Sequence, residues 1–408
     1  MRKIDGGVTT PKGYKAAGLR AGIKAGKTNK DMAMIYSLVP AAVAGTFTRN
    51  IVKAAPVMWD KNLVDTVGIA QAVVVNSGIA NACTGAPGYE DAKKTAKLAG
   101  DALGVDADKV LVASTGVIGF TLPMDIIESG IGMLKDSISY SRESAIDAAT
   151  AILTTDTHKK EIAYEFEIGG KVAHIGAMCK GSGMIHPNMG TMLGFITTDV
   201  AIEQPLLQKA LRATIEDTFN MVSVDGDTST NDTVLVMANG LAENELISEE
   251  NDDYNTFKDA LYAVNEYLAK QIASDGEGAT RLFEVNVVGA PDVNTAKILA
   301  KSIVTSNLTK CAIYGKDANW GRILCAMGYS GAEFDPDKVD ITISSENGSI
   351  KLVENGKATA FDEDRATEIL SPEIVVATAD VKLGDAKATA WGCDLTYDYV
   401  KINADYRS

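Results

Sequence analysis

Apolar residues recur along this chain with two periods. Short β-branched runs alternate with stretches in which apolar side chains return every three or four positions, and each pattern predicts its own element. Residues 32–38 (MAMIYSL), 41–48 (AAVAGTFT), 72–76 (AVVVN) and 109–114 (KVLVAS) read as strands. Residues 89–103 place Ala92, Ala96, Leu98, Ala99 and Leu103 on one face and Lys93, Lys94 and Lys97 on another, the pattern of an amphipathic helix. Further helices are expected over 123–134 and 143–153, and a hairpin over 161–179 that turns at Gly169-Gly170. Residues 180–190 (KGSGMIHPNMG) have the composition of an exposed turn-rich loop, and they run directly into another strand, 191–199. Beyond it, helices at 204–219, 254–274 and 291–306 interleave with strands at 234–237, 281–288, 339–344 and 374–383. The mixture predicts an α/β protein of mixed α+β layers with at least two sheet-containing parts.

Composition narrows the function. With 408 residues, 46% apolar and 23% charged, the chain can bury a core without disulfides or metal. Thirty-nine basic against 54 acidic residues give 39 − 54 = −15, which repels nucleic acid and anionic membrane surfaces. No stretch reaches the 18 or more apolar residues of a membrane span, and the opening MRKIDGGVTTPKGYKAAG lacks the apolar centre of a signal peptide. The expectation is a cytoplasmic protein with no nucleic-acid or membrane partner. Cys83, Cys179, Cys311, Cys325 and Cys393 are odd in number and scattered, which suggests buried free thiols in a reducing compartment. With only His158, His174 and His186 present, neither a zinc site nor a histidine-based triad has much to draw on. Any catalyst here is expected to work without metal and without histidine.

Loops rich in glycine and hydroxyl residues stand out at 76–85 (NSGIANACTG), 114–119 (STGVIG), 180–193 (KGSGMIHPNMGTML), 225–233 (DGDTSTNDT) and 315–322 (GKDANWGR). None has the order of residues that cradles a phosphate in a P-loop or a dinucleotide-binding turn. Asp225, Asp227 and Asp232 could offer oxygen ligands to magnesium, but they lack the EF-hand spacing, and short Asp/Thr runs are usually self-capping turns. The Gly190-Thr191 junction permits a sharper reading. A hydroxyl needs a base to become a nucleophile, and a chain that cuts itself before a threonine obtains one, because the new α-amine has a pKa of about 8. Gly190 has no Cβ to obstruct attack on its carbonyl. The alternative is that Thr191 simply begins a strand. Thr115-Gly116 could hold an oxyanion through a hydroxyl and an N–H, or could cap a helix. Lys180 could meet a substrate carboxylate, or could be a solvated loop charge.

Taken together these motifs resemble the ornithine acetyltransferases (glutamate N-acetyltransferases) of arginine biosynthesis. The resemblance runs along the whole chain: GGVTTPKGYKAAG at 6–18, TRN at 48–50, TTDT at 154–157, GEGAT at 276–280 and YVKINADY at 399–406 join the five loops above. It implies a two-domain fold related to self-processing N-terminal-nucleophile aminopeptidases. It also implies self-cleavage between Gly190 and Thr191, giving an α chain, 1–190, and a β chain, 191–408, assembled as α2β2. Thr191 would take the acetyl group of N2-acetylornithine, release ornithine and pass the acetyl to glutamate, a ping-pong reaction. Thr115 and Gly116 are implied as oxyanion donors, and Thr154, Lys180, Thr191, Glu277, Asn403 and Ser408 as substrate contacts. No cofactor is implied, although some members also use acetyl-CoA as a donor. The sequence departs from the family's usual pattern at Ile79, at Gly190 and at Lys316-Asp317-Ala318. A self-processing hydrolase or aminopeptidase, with water as acceptor, is the alternative.

Overall fold

A computed structural model describes residues 1–186 and 192–405. In chain order the first half contains β1 (Arg2–Ile4), β2 (Tyr14–Leu19), β3 (Met32–Phe47), α1 (Ala55–Thr66), β4 (Ile69–Ile79), α2 (Gly85–Leu103), β5 (Val110–Val117), α3 (Met124–Ser137) and α4 (Arg142–Ala151). The hairpin β6 (Lys160–Ile168) and β7 (Lys171–Lys180) follows, then β8 (Leu193–Thr198), α5 (Gln204–Glu216), β9 (Val222–Ser223), β10 (Thr233–Ala238) and α6 (Asp252–Ser274). Strands β1 to β8 and β10 form one nine-stranded sheet in the order β1-β6-β7-β8-β10-β3-β4-β5, with β2 also paired to β3.

The two runs expected at 32–38 and 41–48 are one sixteen-residue strand, β3, interrupted by a register shift between Tyr36 and Ala41 around Pro40. Proline cannot donate to the ladder, so pairing breaks there. The half before the break pairs with β2 and β4, and the half after it pairs with β10 and, at Ala41 and Ala42, again with β4. Both sides of the sheet are buried, and alternate residues go to different cores. Ala33 and Ile35 join Val73, Leu111, Phe195 and Leu235 in one cluster, so the two halves of the sheet share that core. Met32 and Met34 join Val74, Val112 and the buried side of α2 and α3 in another. On the opposite outer side, Ile175, Ile196 and Val236 pack with Leu211 of α5 and Leu261 of α6. The arrangement is helices, two sheet layers, helices.

A second sheet contains β9 and the C-terminal strands β11 (Leu282–Ala290), β12 (Asp340–Ser345), β13 (Gly348–Glu354), β14 (Lys357–Ala358), β15 (Ile374–Asp380) and β16 (Ala386–Cys393). Its helices are α7 (Val293–Thr305), α8 (Asn307–Gly315), α9 (Trp320–Gly328), α10 (Glu363–Ile369) and α11 (Tyr397–Ala404). The two sheet-containing parts expected from the pattern are present. Residues 315–322, read as a loop, are instead the end of α8, a short left-handed step at Lys316 and the start of α9, capped by the Asn319 side chain. Cys179 and Cys393 are buried free thiols, whereas Cys83, Cys311 and Cys325 are exposed, against the expectation for all five. No described helix is long and apolar enough to cross a membrane.

Candidate active site

The ends of β4, β5 and β7 and the beginnings of β8 and β10 surround a cavity of ≈ 380 Å³. Thr115, Gly116, Thr154, Lys180, Glu277 and Asn403 all line it, as does Met192. Six side chains or backbone groups separated by up to 288 positions (403 − 115) therefore converge on one space. Gly190, Thr191 and Ser408 lie outside the described residues. Among the described residues, no group of three or more His, Cys, Asp or Glu gathers where it could hold a metal ion.

Thr115 and Gly116 end β5, paired in parallel register with Ser77 and Gly78 of β4. They do not cap a helix, since α3 begins at Met124 behind Pro123. Gly116 has φ +129°, and a Cβ on it would stand 2.2 Å from the carbonyl carbon of Gly78. Only glycine fits a backbone this close to its neighbour. Asn231, just before β10, fixes the same corner: its Nδ2 donates to Ala80 O (2.6 Å) and Ser114 O (2.7 Å). Sequence reasoning flagged the loop 225–233 but not this residue, whose amide joins two distant segments.

Lys180 is the last residue of β7 and is buried, so the reading of a solvated loop charge is excluded. Its Nζ lies 3.6 Å from Asp156 Oδ2. Asp156 is fully enclosed and accepts from Lys160 Nζ (2.7 Å), Gly181 N (2.7 Å) and Thr154 N (3.1 Å). Burial alone would raise its pKa, but the charges of Lys180 and Lys160 and these hydrogen bonds hold the carboxyl well below the usual range. Lys160 in turn donates to Asp275, which also accepts from Thr157 N. Burial opposes the charge on Lys160, yet the two aspartates raise its pKa. The sequence reading singled out neither Lys160 nor Asp275, and it took Asp156 only as part of the TTDT motif at 154–157.

Glu277 is buried. Its N–H donates to Ser182 O (3.0 Å), and its Oε2 accepts from Asn403 Nδ2 (2.8 Å). A Cβ on Gly183 would meet the Glu277 carboxyl at 2.3 Å, so that glycine is the space the carboxylate occupies. Helix α11 carries Asn403 to the cavity, anchored at its N-cap, where the Thr396 hydroxyl donates to Gly278 O (2.7 Å) and accepts from Tyr399 N. Glu277 and Lys180 give the cavity an anionic and a cationic group, the pair that a small amino acid requires.

The pocket gathers a hydroxyl, a glycine N–H, a cation and an anion in one layered fold, the groups that hold a small charged molecule. Residues 15–408 match the model of the ArgJ family. The chain is 52% identical over 408 residues to the arginine biosynthesis bifunctional protein ArgJ of Caldanaerobacter subterraneus subsp. tengcongensis, covering 100% of both chains. It is 53% identical over 409 residues to the protein of the same name from Symbiobacterium thermophilum, again covering 100% of both. The crystal structure of ArgJ from Bacillus halodurans is matched at 52% identity and TM-score 0.51, over 53% of this chain and 100% of that one. The chain belongs to the ArgJ family. It is therefore an acyltransferase of arginine biosynthesis.

Proposed function

We propose that the cavity transfers the acetyl group of N2-acetylornithine to glutamate through an acetylated Thr191. The observation that carries this reading is that Lys180, Glu277, Thr115 and Gly116 share one cavity with Met192, the residue bonded to Thr191. Lys180 pairs with the α-carboxylate common to both substrates, and Glu277 with the side-chain ammonium of acetylornithine. Cleavage of Gly190-Thr191 frees the amine that takes the Thr191 hydroxyl proton. The hydroxyl oxygen then attacks the acetyl carbonyl. The oxyanion is held by the Thr115 hydroxyl and the Gly116 N–H, and collapse expels ornithine with the proton returned to its nitrogen. Glutamate's neutral amine attacks the acetyl ester in the second half-reaction and regenerates Thr191.

Two further observations support the cleavage. Residues 191–408 number 408 − 190 = 218, or 53% of the sequence, the share matched by the whole B. halodurans chain. β7 and β8 are antiparallel neighbours, from Lys180 opposite Leu193 to Ile175 opposite Thr198, so a break between them leaves both products in one sheet. The α and β chains thus stay together, and we assign the family's α2β2 assembly and cytoplasmic location on the same grounds of membership. No cofactor enters this chemistry. We read the relatives' word "bifunctional" as a second use of the acetyl site, with acetyl-CoA as the donor to glutamate.

Intact mass and N-terminal sequencing test the first step: two fragments, the second beginning Thr191-Met192-Leu193, are expected. Acetylornithine labelled in its acetyl group, incubated with and without glutamate, tests the second. Label in N-acetylglutamate is the expected result, and label released as acetate regardless of glutamate would convert the reading to a hydrolase.

A further inference from the structure

Lys180 and Thr154 reach the cavity, and one carboxylate behind the wall holds both. Asp156 is not on the cavity wall, and its side chain is 0% exposed. Its two oxygens face different ways. Oδ1 accepts from Lys160 Nζ and from Gly181 N, the amide that follows Lys180, both at 2.7 Å. Oδ2 accepts from Thr154 N (3.1 Å) and lies 3.6 Å from Lys180 Nζ. The first oxygen is therefore tied to the frame, and the second is turned toward residues that line the cavity.

A lysine is a point charge on a flexible four-carbon stem, so an ammonium that must meet a carboxylate at one place needs a restraint. The 3.6 Å separation is too long for a hydrogen bond, so Asp156 attracts the Lys180 ammonium without taking one of its N–H donors. Lys160 limits that attraction. It pairs with Asp156 on one side and Asp275 on the other, so the charges alternate in sign from Asp275 through Lys160 and Asp156 to Lys180. Asp156, already shared with Lys160, does not fully neutralise Lys180. A substrate carboxylate is the next charge that this alternation accommodates.

We propose that Asp156 is a positioning residue for substrate binding: it holds the Lys180 ammonium, together with the Thr154 backbone, where a substrate α-carboxylate is met, and does not itself touch the substrate. The inference rests on the reading that Lys180 pairs with that carboxylate. The restraint exists before substrate arrives, so binding does not have to order the lysine stem. The carboxylate is remote from the acetyl carbonyl and is held alike in the ground state and the transition state. Loss of the restraint therefore acts on KM and leaves kcat nearly unchanged.

Asp156→Asn removes the charge and keeps part of the frame: its one oxygen can still accept from Lys160 and Gly181 N, which leaves an NH2 group where Oδ2 faced Lys180. The test measures kcat and KM at saturating glutamate for N2-acetylornithine and for its α-carboxamide, which lacks the charge that Lys180 meets. Wild type, Asp156→Asn, Lys180→Met and the double variant are compared. Asp156→Asn is expected to raise KM for acetylornithine about 10-fold or more, the scale of one hydrogen bond to a charged group, and to change kcat/KM for the carboxamide little. The double variant should be no worse than Lys180→Met on acetylornithine, because nothing is left to position. Equal losses on the two donors would mean structural support only, and an unchanged KM for acetylornithine would mean no role; either result overturns the proposal. Lys180→Met lowering kcat/KM equally for both donors would instead overturn the carboxylate reading of Lys180 itself. If Asp156→Asn fails to fold, as judged by circular dichroism, Asp156→Glu takes its place, keeping the charge and shifting it by one methylene. A wild-type preference for acetylornithine over its carboxamide in that variant overturns the proposal.

Discussion

Gly183 and Glu277 divide one small volume: where any other residue would place a Cβ, the Glu277 carboxyl stands 2.3 Å away. The clash is with the far end of a flexible side chain, so Gly183→Ala should displace the carboxylate without breaking the fold. KM for acetylornithine should rise about 10-fold or more, the scale of one charge-assisted hydrogen bond, with the melting temperature nearly unchanged. Steady-state kinetics beside a thermal melt check this. A lowered melting temperature with unchanged KM would mean that Glu277 does not touch substrate.

The Lys160 ammonium is fully enclosed between Asp156 and Asp275. Lys160→Met should cost about 3 kcal/mol or more, because it leaves buried carboxylates short of a cation. Asp156 is depressed below its unfolded value, so its contribution is present above about pH 4 and is lost as pH falls through the folded pKa. Urea titrations at several pH values should show stability declining on acidification in wild type and declining less in Asp156→Asn.

Thr115 and Gly116 are expected to serve the transition state, not the ground state. Thr115→Ala should lower kcat about 100-fold with little change in KM, as for loss of one oxyanion donor. Gly116→Ala is a different kind of change. It forces φ +129° on a residue with a Cβ and drives that atom into the Gly78 backbone, so it should lower the melting temperature as well as activity.

Asp60 on α1 accepts from Val112 N (2.8 Å) through Oδ1, while among the described residues its Oδ2 has no partner. Burial raises its pKa well above the ordinary value, so the folded chain holds a proton that the unfolded chain releases above about pH 4. Wild type therefore loses stability from this group as pH rises from 4. Asp60→Asn keeps an acceptor for Val112 and removes the ionisation. Its melting temperature relative to wild type should climb between pH 4 and pH 8, and a difference constant with pH would refute this account.

Period and composition alone located the elements that bury one clear face. The alternation that sends Met32 and Met34 one way and Ala33 and Ile35 the other is a strand in any context, and the lysine-backed face of α2 is a helix in any context. Thr115, Gly116 and Lys180 came into view from the glycine- and hydroxyl-rich loops beside strand ends, whereas Thr154, Glu277 and Asn403 came into view only through the resemblance of the motif order to a known family. What the sequence could not reveal depends on residues distant in the chain. β16 pairs with β9, 169 positions apart at Trp391 and Val222, and neither has a pattern that announces the other. The trio Asp156, Lys160 and Asp275 is invisible until β6 is set against the segment after α6, since a charge becomes buried only when another element covers it. Asp232 reads in sequence as one more turn aspartate. Only the packing of β3, β8 and β10 around it takes it out of water, and that burial raises its pKa well above the ordinary carboxylate value.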